Sequence, residues 1–380
     1  MPDLTPTAGS YGQNPARICR CRSPAAGAPT PVVTFATPPR YPTRTMRFGI
    51  QARAQQARFR DTLSASARTP DDDTGRRHGH LVALGHEQEN LFPGLRGPGG
   101  ALDVFRERKI SWWRSGRSGD APGDGPTRNL ASSQVACVNF LLPLAANPAL
   151  LLAFVHQIDP DVLDLVPIPD PSGAPAGLVQ FEWVGWSAPI EGGRLNRGAM
   201  QTSADALIVG RTAAGLRALV FEWKYCEEYL RPEDKGAGPS GETRRRRFAG
   251  RYLARDSAFV GSVPIDDFLY EPFYQLLRLR LLADELQRSG VAPGLAVVDA
   301  RVVVVCPAAN VDYARAVAST PLARRFPGLC TVGELMCATL RAPDGIALAA
   351  SERIVAGLRA SPSAPAISDW LDYHRVRYGW

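Results

Sequence analysis

Apolar positions follow regular helical and strand spacings only from about residue 129 onward. Two serines precede apolar residues at helical spacing from 135 to 142 and offer a cap, which predicts a helix there. A second strongly periodic stretch predicts a helix at 268–289. Alternating or apolar runs predict four strands, at 178–186, 203–209, 216–225 and 301–306. This order of elements predicts an α/β fold in which helices flank a central mixed sheet.

Composition divides the chain into four parts. Residues 1–60 are rich in Pro, Arg, Ala, Thr and Gly without a sustained period, which predicts a disordered tail, and Met46 is an alternative start. Residues 61–128 are predicted to form an extension with mobile loops, because Gly and Pro dominate 115–127. We expect the folded core at 129–310 and a helical C-terminal part, packed on the core, at 311–380.

The net charge of +7 is concentrated in the predicted tail. Residues 1–60 contain nine Arg, no Lys and one acidic residue, so the other 320 residues sum to about −1. Because the predicted core is nearly neutral, the overall charge does not indicate that the core binds nucleic acid.

The sequence lacks recognisable targeting signals, and together with the cysteine spacing this predicts a soluble, cytoplasmic protein without a membrane partner. The chain has no window typical of a signal peptide, and two prolines and an asparagine interrupt its most apolar stretch, 140–155. None of the seven cysteines forms a C-x-x-C pair, and most lie in apolar runs. A zinc ribbon or a disulfide framework is therefore not expected.

The segment 218–226 is apolar except for two charges, Glu222 and Lys224. On a strand, residues two apart share a face. Burying two ionised groups costs several kcal/mol unless they are paired or bind an ion, so these charges need a partner. The chain has 41 Arg and only three Lys, and a compact ammonium at position 224 is therefore conspicuous.

The preceding predicted strand places one carboxylate, Asp205, at the start of an apolar run. If the two strands form a hairpin about a turn at 213–214, Asp205 lies opposite Glu222, although Gly215 could shift this register by one residue. Directly opposed Cβ atoms lie about 5 Å apart, which lets two carboxylates share one divalent ion. Hard oxygen ligands favour magnesium, with manganese as the alternative.

Such an ion would orient and acidify a water molecule for in-line attack on a phosphodiester, and Lys224 would stabilise the hydroxide or the phosphorane. The alternative interpretation is an exposed ion pair, which is the commonest role of an acid-x-Lys pair on a strand. The apolar flanks, the partner Asp205 and the scarcity of lysine favour the site.

The order of helix, strand, Asp-bearing strand, Glu-x-Lys strand, helix and strand resembles the core of the PD-(D/E)XK nuclease superfamily, the restriction-endonuclease-like fold. More narrowly, four segments are similar to a bacterial family of restriction endonucleases: 129–140, 203–206, 221–225 and 274–278. The resemblance covers about 85–307. It implies that Asp205 and Glu222 are metal ligands and that Lys224 is the catalytic lysine.

The sequence departs from the superfamily pattern at two places. Ser203 and Ala204 precede Asp205, where the superfamily pattern has a proline before the aspartate. Many members also carry a glutamate on the first helix, whereas this helix offers only Gln134 and Asn139. The number of metal ions, one or two, therefore stays open.

Three further polar residues are candidates for the same site. Glu182 could reach the metal or pair with Arg194 or Arg197. Gln134 could hold the attacking water or bond to backbone, and Gln275 is a weaker candidate of the same kind.

Three other features each have two interpretations. The His and Glu residues between 78 and 89 could bind zinc, but their spacing matches no zinc motif. The run 244–247 of four arginines is either a phosphate-gripping loop or a solvated part of a flexible insertion. Trp112 and Trp113 could stack on bases, although packing in the core or a cap is the commoner role.

Together these observations predict a magnesium-dependent endonuclease of restriction or phage-defence type that acts on DNA. The alternatives are a DNA-binding protein that no longer cuts, a repair or recombination nuclease, and a nuclease directed at RNA. DNA is the expected partner, while a homodimer and a separate methyltransferase stay open. Base recognition comes from loops without a legible code, so the recognition sequence cannot be predicted.

Overall fold

A single mixed sheet forms the centre of the protein. The computed structural model describes residues 47–68, 78–113, 124–187, 189–193, 201–315 and 317–380. The strands, labelled β1 to β6, are Asp164–Val166, Gln180–Trp183, Ala204–Thr212, Gly215–Trp223, Asp299–Cys306 and Ile346–Ala350. The order across the sheet is β1-β3-β4-β5-β6, and β2 pairs with β3. The pairs among β1 to β4 are antiparallel, whereas β4, β5 and β6 run parallel.

The helices of the described residues, labelled α1 to α11, are Phe48–Arg60, Ala101–Glu107, Ser133–Ala145, Pro148–His156, Gly238–Tyr252, Phe273–Ser289, Val311–Ala314, Pro321–Arg325, Val332–Ala338, Ser351–Arg359 and Ser368–Tyr378. Short 3₁₀ turns occur at Glu87–Asn90, Pro93–Leu95, Ile265–Phe268, Pro343–Gly345 and Ala364–Ile367. None of these helices combines the length and the apolar character that crossing a membrane requires.

Helices cover both faces of the sheet. On one face α3 packs against β3 and β4, α4 against β1, and α10 against β6. Phe140 of α3 lies at the centre of this layer, with its ring centroid 4.8 Å from that of Trp223 and 4.7 Å from that of Trp370. On the other face α6 packs against β4 and β5, and α9 against β6. The predicted α/β fold with a helix-flanked mixed sheet and a helical C-terminal part is confirmed.

Local sequence signals set the ends of the elements that carry the site. The Ser132 side chain accepts a hydrogen bond from the Val135 N–H and caps α3, as the two serines predicted. Gly290, with φ of +81°, ends α6 in a conformation that favours glycine. The β3–β4 turn needs Gly215, because its φ is +136° and a Cβ there would lie 2.8 Å from a Val298 methyl carbon.

The prediction that the disordered tail extends to residue 60 is wrong for its last part, because α1 occupies Phe48–Arg60 and packs on α11. Gln56 Nε2 donates 2.8 Å hydrogen bonds to Tyr225 Oη and to the Arg377 carbonyl. These partners lie far along the chain, so local composition could not reveal them. Residues 1–46 lie outside the described residues.

The predicted boundary at residue 310 is also wrong. β6, at Ile346–Ala350, comes from the part predicted as helical and pairs in parallel with β5. Its run of five small and aliphatic residues is too short for periodicity to separate strand from helix. The central sheet therefore extends to residue 350.

Two shortened proteins should test the role of α1. A protein that begins at Met46 should keep the melting temperature of the full chain. A protein that begins after Arg60 should melt at least several degrees lower, because it loses Phe59, which is 6% exposed and packs edge-on against Tyr373. Thermal unfolding followed by circular dichroism measures both, and equal melting temperatures would show that α1 contributes nothing.

Candidate active site

Two carboxylates on neighbouring strands face each other. Ala206 of β3 pairs with Phe221 of β4. The same antiparallel register places Asp205 opposite Glu222, on one face and with Cβ atoms about 5 Å apart. Oδ2 of Asp205 also accepts a 2.6 Å hydrogen bond from the Trp223 N–H. The symmetric register predicted for this hairpin is confirmed.

Lys224 lies beside Glu222 at the end of β4. Lys224 Nζ is 2.8 Å from Glu222 Oε1, and the two side chains are 6% and 4% exposed. The Lys224 N–H donates a 2.8 Å hydrogen bond to the Val305 carbonyl of β5, so the sheet also fixes the backbone of the lysine. The Glu-x-Lys pair is therefore a buried ion pair, and the alternative of an exposed surface pair is excluded.

Gln275, on the first turn of α6, contacts both members of this pair. Its Nε2 donates a 2.6 Å hydrogen bond to Glu222 Oε1. Its Oε1 accepts a 2.8 Å hydrogen bond from Lys224 Nζ. A glutamine can donate and accept at once, so it holds an anion and a cation together without adding charge. Gln275, a weak candidate in the sequence, therefore lies in the cluster.

The electrostatic field of the cluster is dominated by its acids. Burial raises the pKa of Asp205 well above its ordinary value, and repulsion from Glu222 and Glu182 raises it further. Burial alone would lower the pKa of Lys224, but the negative groups around it, first of all Glu222, outweigh burial and raise that pKa. A further positive charge near Asp205 would relieve this repulsion.

Glu182 lies on the other side of Asp205. Phe181 and Trp183 of β2 pair with Ala206 and Ala204 of β3, and Glu182 between them is close enough to raise the pKa of Asp205. Its carboxylate accepts 2.8 Å hydrogen bonds from Gln134 Nε2 and Ser203 Oγ. Gln134 therefore reaches Glu182. The alternative partners of Glu182, Arg194 and Arg197, lie outside the described residues.

The strand that carries Glu182 is shorter than predicted. It covers Gln180–Trp183 rather than 178–186. Glu182 has φ of +47°, which residues with a Cβ rarely adopt, and regular strand alternation does not hold there. The alternation of apolar residues therefore predicted the strand but not the backbone conformation of Glu182.

The chemistry of the donors fits a hard divalent cation. Among the described residues, Asp205 Oδ1 and Glu222 Oε2 have no hydrogen-bond partner, so each carboxylate keeps one uncommitted oxygen. Magnesium is commonly held by one or two carboxylates and keeps several waters. No group of three or more His, Cys, Asp or Glu side chains in the described part of the chain is arranged to hold a metal, which also applies to the His and Glu residues at 78–89.

Two tyrosines near Lys224 were missed by the sequence analysis. Tyr229 and Tyr313 lie close enough for their charge state to affect the pKa of Lys224, and their ring centroids are 5.8 Å apart. Tyr313 Oη is buried and has no hydrogen-bond partner among the described residues. Asn310 Nδ2 donates to the carbonyls of Tyr225 and Glu227, which fixes the chain after β4. No spacing in the sequence connects these residues with Lys224.

The arginine run lies on a helix and not in a flexible insertion. α5 covers Gly238–Tyr252. Arg244 donates to the Lys235 carbonyl, and Arg245 donates to Asp266 and to a backbone carbonyl. Arg246 and Arg247 are exposed. The run therefore divides into two structural arginines and two that face solvent.

Of the comparisons with known proteins, the one with protein families gives a match. The model of a family described as "Restriction Endonuclease associating with ARP" matches residues 102–335, which are more than half of the chain and include Asp205, Glu222 and Lys224. No curated protein and no solved structure matches the chain.

Proposed function

Because the chain belongs to the family of restriction endonucleases associating with ARP, we propose that it is a metal-dependent endonuclease of the PD-(D/E)XK type that hydrolyses DNA phosphodiester bonds. The family supports a nuclease-like role. The observation that carries the finer proposal is the alignment of Asp205 with Glu222 on one face of the sheet, with Lys224 Nζ 2.8 Å from Glu222. Three buried or partly buried charges at this spacing have no evident use in folding alone.

In this proposal Asp205 and Glu222 hold a magnesium or manganese ion. The uncommitted oxygens Oδ1 and Oε2 are the donors that it would use. When bound, the ion supplies a Lewis acid that lowers the pKa of water and neutralises charge on the phosphate. The mutual repulsion that raises the pKa of Asp205 favours an added cation.

Lys224 acts as the catalytic lysine. Lys224 Nζ donates one hydrogen bond, to Gln275 Oε1, and forms an ion pair with Glu222. An ammonium group has three N–H donors, so Lys224 can also donate to the attacking hydroxide or to a phosphate oxygen. A fixed positive charge at that place stabilises the charge that develops in the transition state.

The description of the family names an association with ARP, and we extend that association to this chain as part of the proposal. The test of the function is incubation of the purified full chain with plasmid and phage DNA, with and without magnesium or manganese. We expect nicked or linear products only with the metal. Cutting of RNA but not of DNA would reassign the substrate. Absence of cutting with every divalent ion would favour the DNA-binding protein that no longer cuts.

Gln275 is expected to be a positioning residue in this mechanism. Gln275→Leu removes both hydrogen bonds and should slow DNA cutting about tenfold to a hundredfold, because the reacting groups lose their fixed geometry. The melting temperature should change little, since Lys224 still contacts Glu222 directly. Gln287→Leu, at an exposed position on the same helix, is the matched control. If both variants cut at the wild-type rate, Gln275 has no positioning role.

A further inference from the structure

Trp113 is a large aromatic side chain that the fold leaves uncovered. It is 46% exposed and is the one aromatic among the exposed large hydrophobic side chains of the described residues. Its neighbour Trp112 is 2% exposed and stacks on Phe105, with ring centroids 4.0 Å apart and an angle of 16° between the planes. The two tryptophans therefore differ: Trp112 anchors the segment in the core, and Trp113 leaves almost half of its surface exposed.

Polar contacts hold Trp113 in place. Its backbone N–H donates a 2.9 Å hydrogen bond to Gln134 Oε1. Gln134 Nε2 in turn donates a 2.8 Å hydrogen bond to Glu182 Oε1. The side chain of Trp113 lies close enough to Glu182 to lower the pKa of that carboxyl. Because the backbone of Trp113 is fixed in this way, less conformational entropy is lost when a ligand binds its side chain.

These three residues border the proposed active site. The neighbours of Glu182 on β2 pair with the neighbours of Asp205 on β3, and Glu182 is close enough to raise the pKa of Asp205. The contacts from Trp113 through Gln134 to Glu182 therefore lead to a proposed metal ligand. Glu182 accepts hydrogen bonds from Gln134 and Ser203, one at each carboxylate oxygen. Its oxygens are thus engaged by the protein, which suits a residue that positions others. The φ of +47° at Glu182 adds strain at this border, as is common where a backbone serves a binding site.

We propose that Trp113 stacks against a nucleobase of DNA beside the scissile phosphate, and that Gln134 and Glu182 position it. The inference rests on the proposed function, because it needs DNA at Asp205. The flat face of an indole can stack on any base, whereas a phosphate has no flat apolar face on which an indole could stack. A base inside a duplex is already covered by its neighbours, so the base that Trp113 contacts is unpaired or turned out of the stack.

The test compares a fluorescein-labelled DNA strand with an abasic strand of the same length, both in EDTA so that no cutting occurs. Trp113→Ala should bind the base-bearing strand at least about fivefold more weakly than the wild-type protein does. The abasic strand should bind both proteins equally, because it keeps the phosphates and lacks the bases. Trp113→Phe should keep most of the affinity, since it keeps a flat ring. Leu163→Ala, at a position 63% exposed, is the control for loss of exposed apolar surface.

The outcomes separate the two proposals. Equal affinity of wild-type and Trp113→Ala protein for the base-bearing strand overturns the stacking proposal and leaves the nuclease standing if plasmid DNA is still cut. An equal loss of affinity for both strands also overturns it, because a merely structural role would act on both. If Trp113→Ala does not fold, the comparison of Trp113→Phe with Trp113→Leu decides, and equal affinities of these two variants count against stacking. A wild-type protein that cuts no DNA overturns the proposed function through a different measurement.

Discussion

Replacement of Lys224 by methionine should slow DNA cutting by about two to three orders of magnitude and leave the binding of metal and DNA intact. Methionine resembles lysine in length but has no charge and no N–H donor. A fixed charge at the reacting phosphate is worth about 3–4 kcal/mol in the transition state, so the rate should fall about 10²- to 10³-fold. Lys224 supplies no metal ligand, and magnesium affinity in isothermal titration should therefore stay close to that of the wild type. A plasmid-nicking assay gives the rate.

The control for Lys224→Met must separate lost chemistry from lost folding. Removing one partner of a buried ion pair destabilises a protein, but Gln275 Nε2 still donates to Glu222 Oε1 and limits the cost. The variant should therefore fold with a lowered melting temperature. Lys109→Met makes the same change at an exposed lysine and should cut at the wild-type rate. A Lys224→Met protein that is folded and cuts normally would refute the role assigned to the lysine.

Lys224→Arg extends the same test to geometry. A planar guanidinium keeps the positive charge but cannot replace a compact ammonium that serves Glu222 and Gln275 at 2.8 Å. We expect this variant to cut far more slowly than the wild type. Full activity would mean that charge alone is needed near Glu222.

The β3–β4 hairpin could be predicted from the sequence because each of its features is local. The alternation of apolar residues predicted the two strands. The turn at 213–214 predicted their register, in which Asp205 lies opposite Glu222. The apolar flanks of Glu222 and Lys224 predicted their burial, and both are less than a tenth exposed. The roles of these residues in catalysis stay predictions until the variants are measured.

Features that depend on distant partners could not be predicted. α1 has few apolar residues, and it is held by contacts such as Gln56 with Arg377, 321 positions later. Tyr313 approaches Lys224 only because the segment after β5 folds back to the end of β4. The sequence pattern supplies the periodicity of each element, whereas tertiary packing decides which polar residues meet.

Asp205→Asn should weaken magnesium binding strongly and lower DNA cutting by orders of magnitude, because it removes one of two anionic ligands. Asparagine has nearly the same shape, and its carbonyl oxygen can still accept the Trp223 N–H that Asp205 Oδ2 accepts now. Isothermal titration with magnesium or manganese measures the first effect, and plasmid nicking measures the second. DNA binding in EDTA should persist or tighten, since a negative charge facing the phosphates is removed.

Asp164→Asn is the matched control for this variant. Asp164 lies on β1 of the same sheet, is 59% exposed and pairs with Arg211. An exposed ion pair contributes at most about 1 kcal/mol, so this change should leave metal binding and cutting unchanged. Loss of magnesium binding in Asp164→Asn but not in Asp205→Asn would place the metal elsewhere.

The stability of Asp205→Asn without metal distinguishes a functional from a structural carboxylate. The folded state raises the pKa of Asp205, through burial and then repulsion by Glu222 and Glu182, so ionisation of this carboxyl costs the folded state free energy. Removing that charge should raise the melting temperature measured in EDTA. Magnesium should raise the melting temperature of the wild type and leave that of the variant nearly unchanged, since a ligand stabilises only the protein that binds it. If the carboxylate stabilised the fold instead, its removal would lower the melting temperature in EDTA. A lower melting temperature of Asp205→Asn in EDTA would therefore count against the metal site.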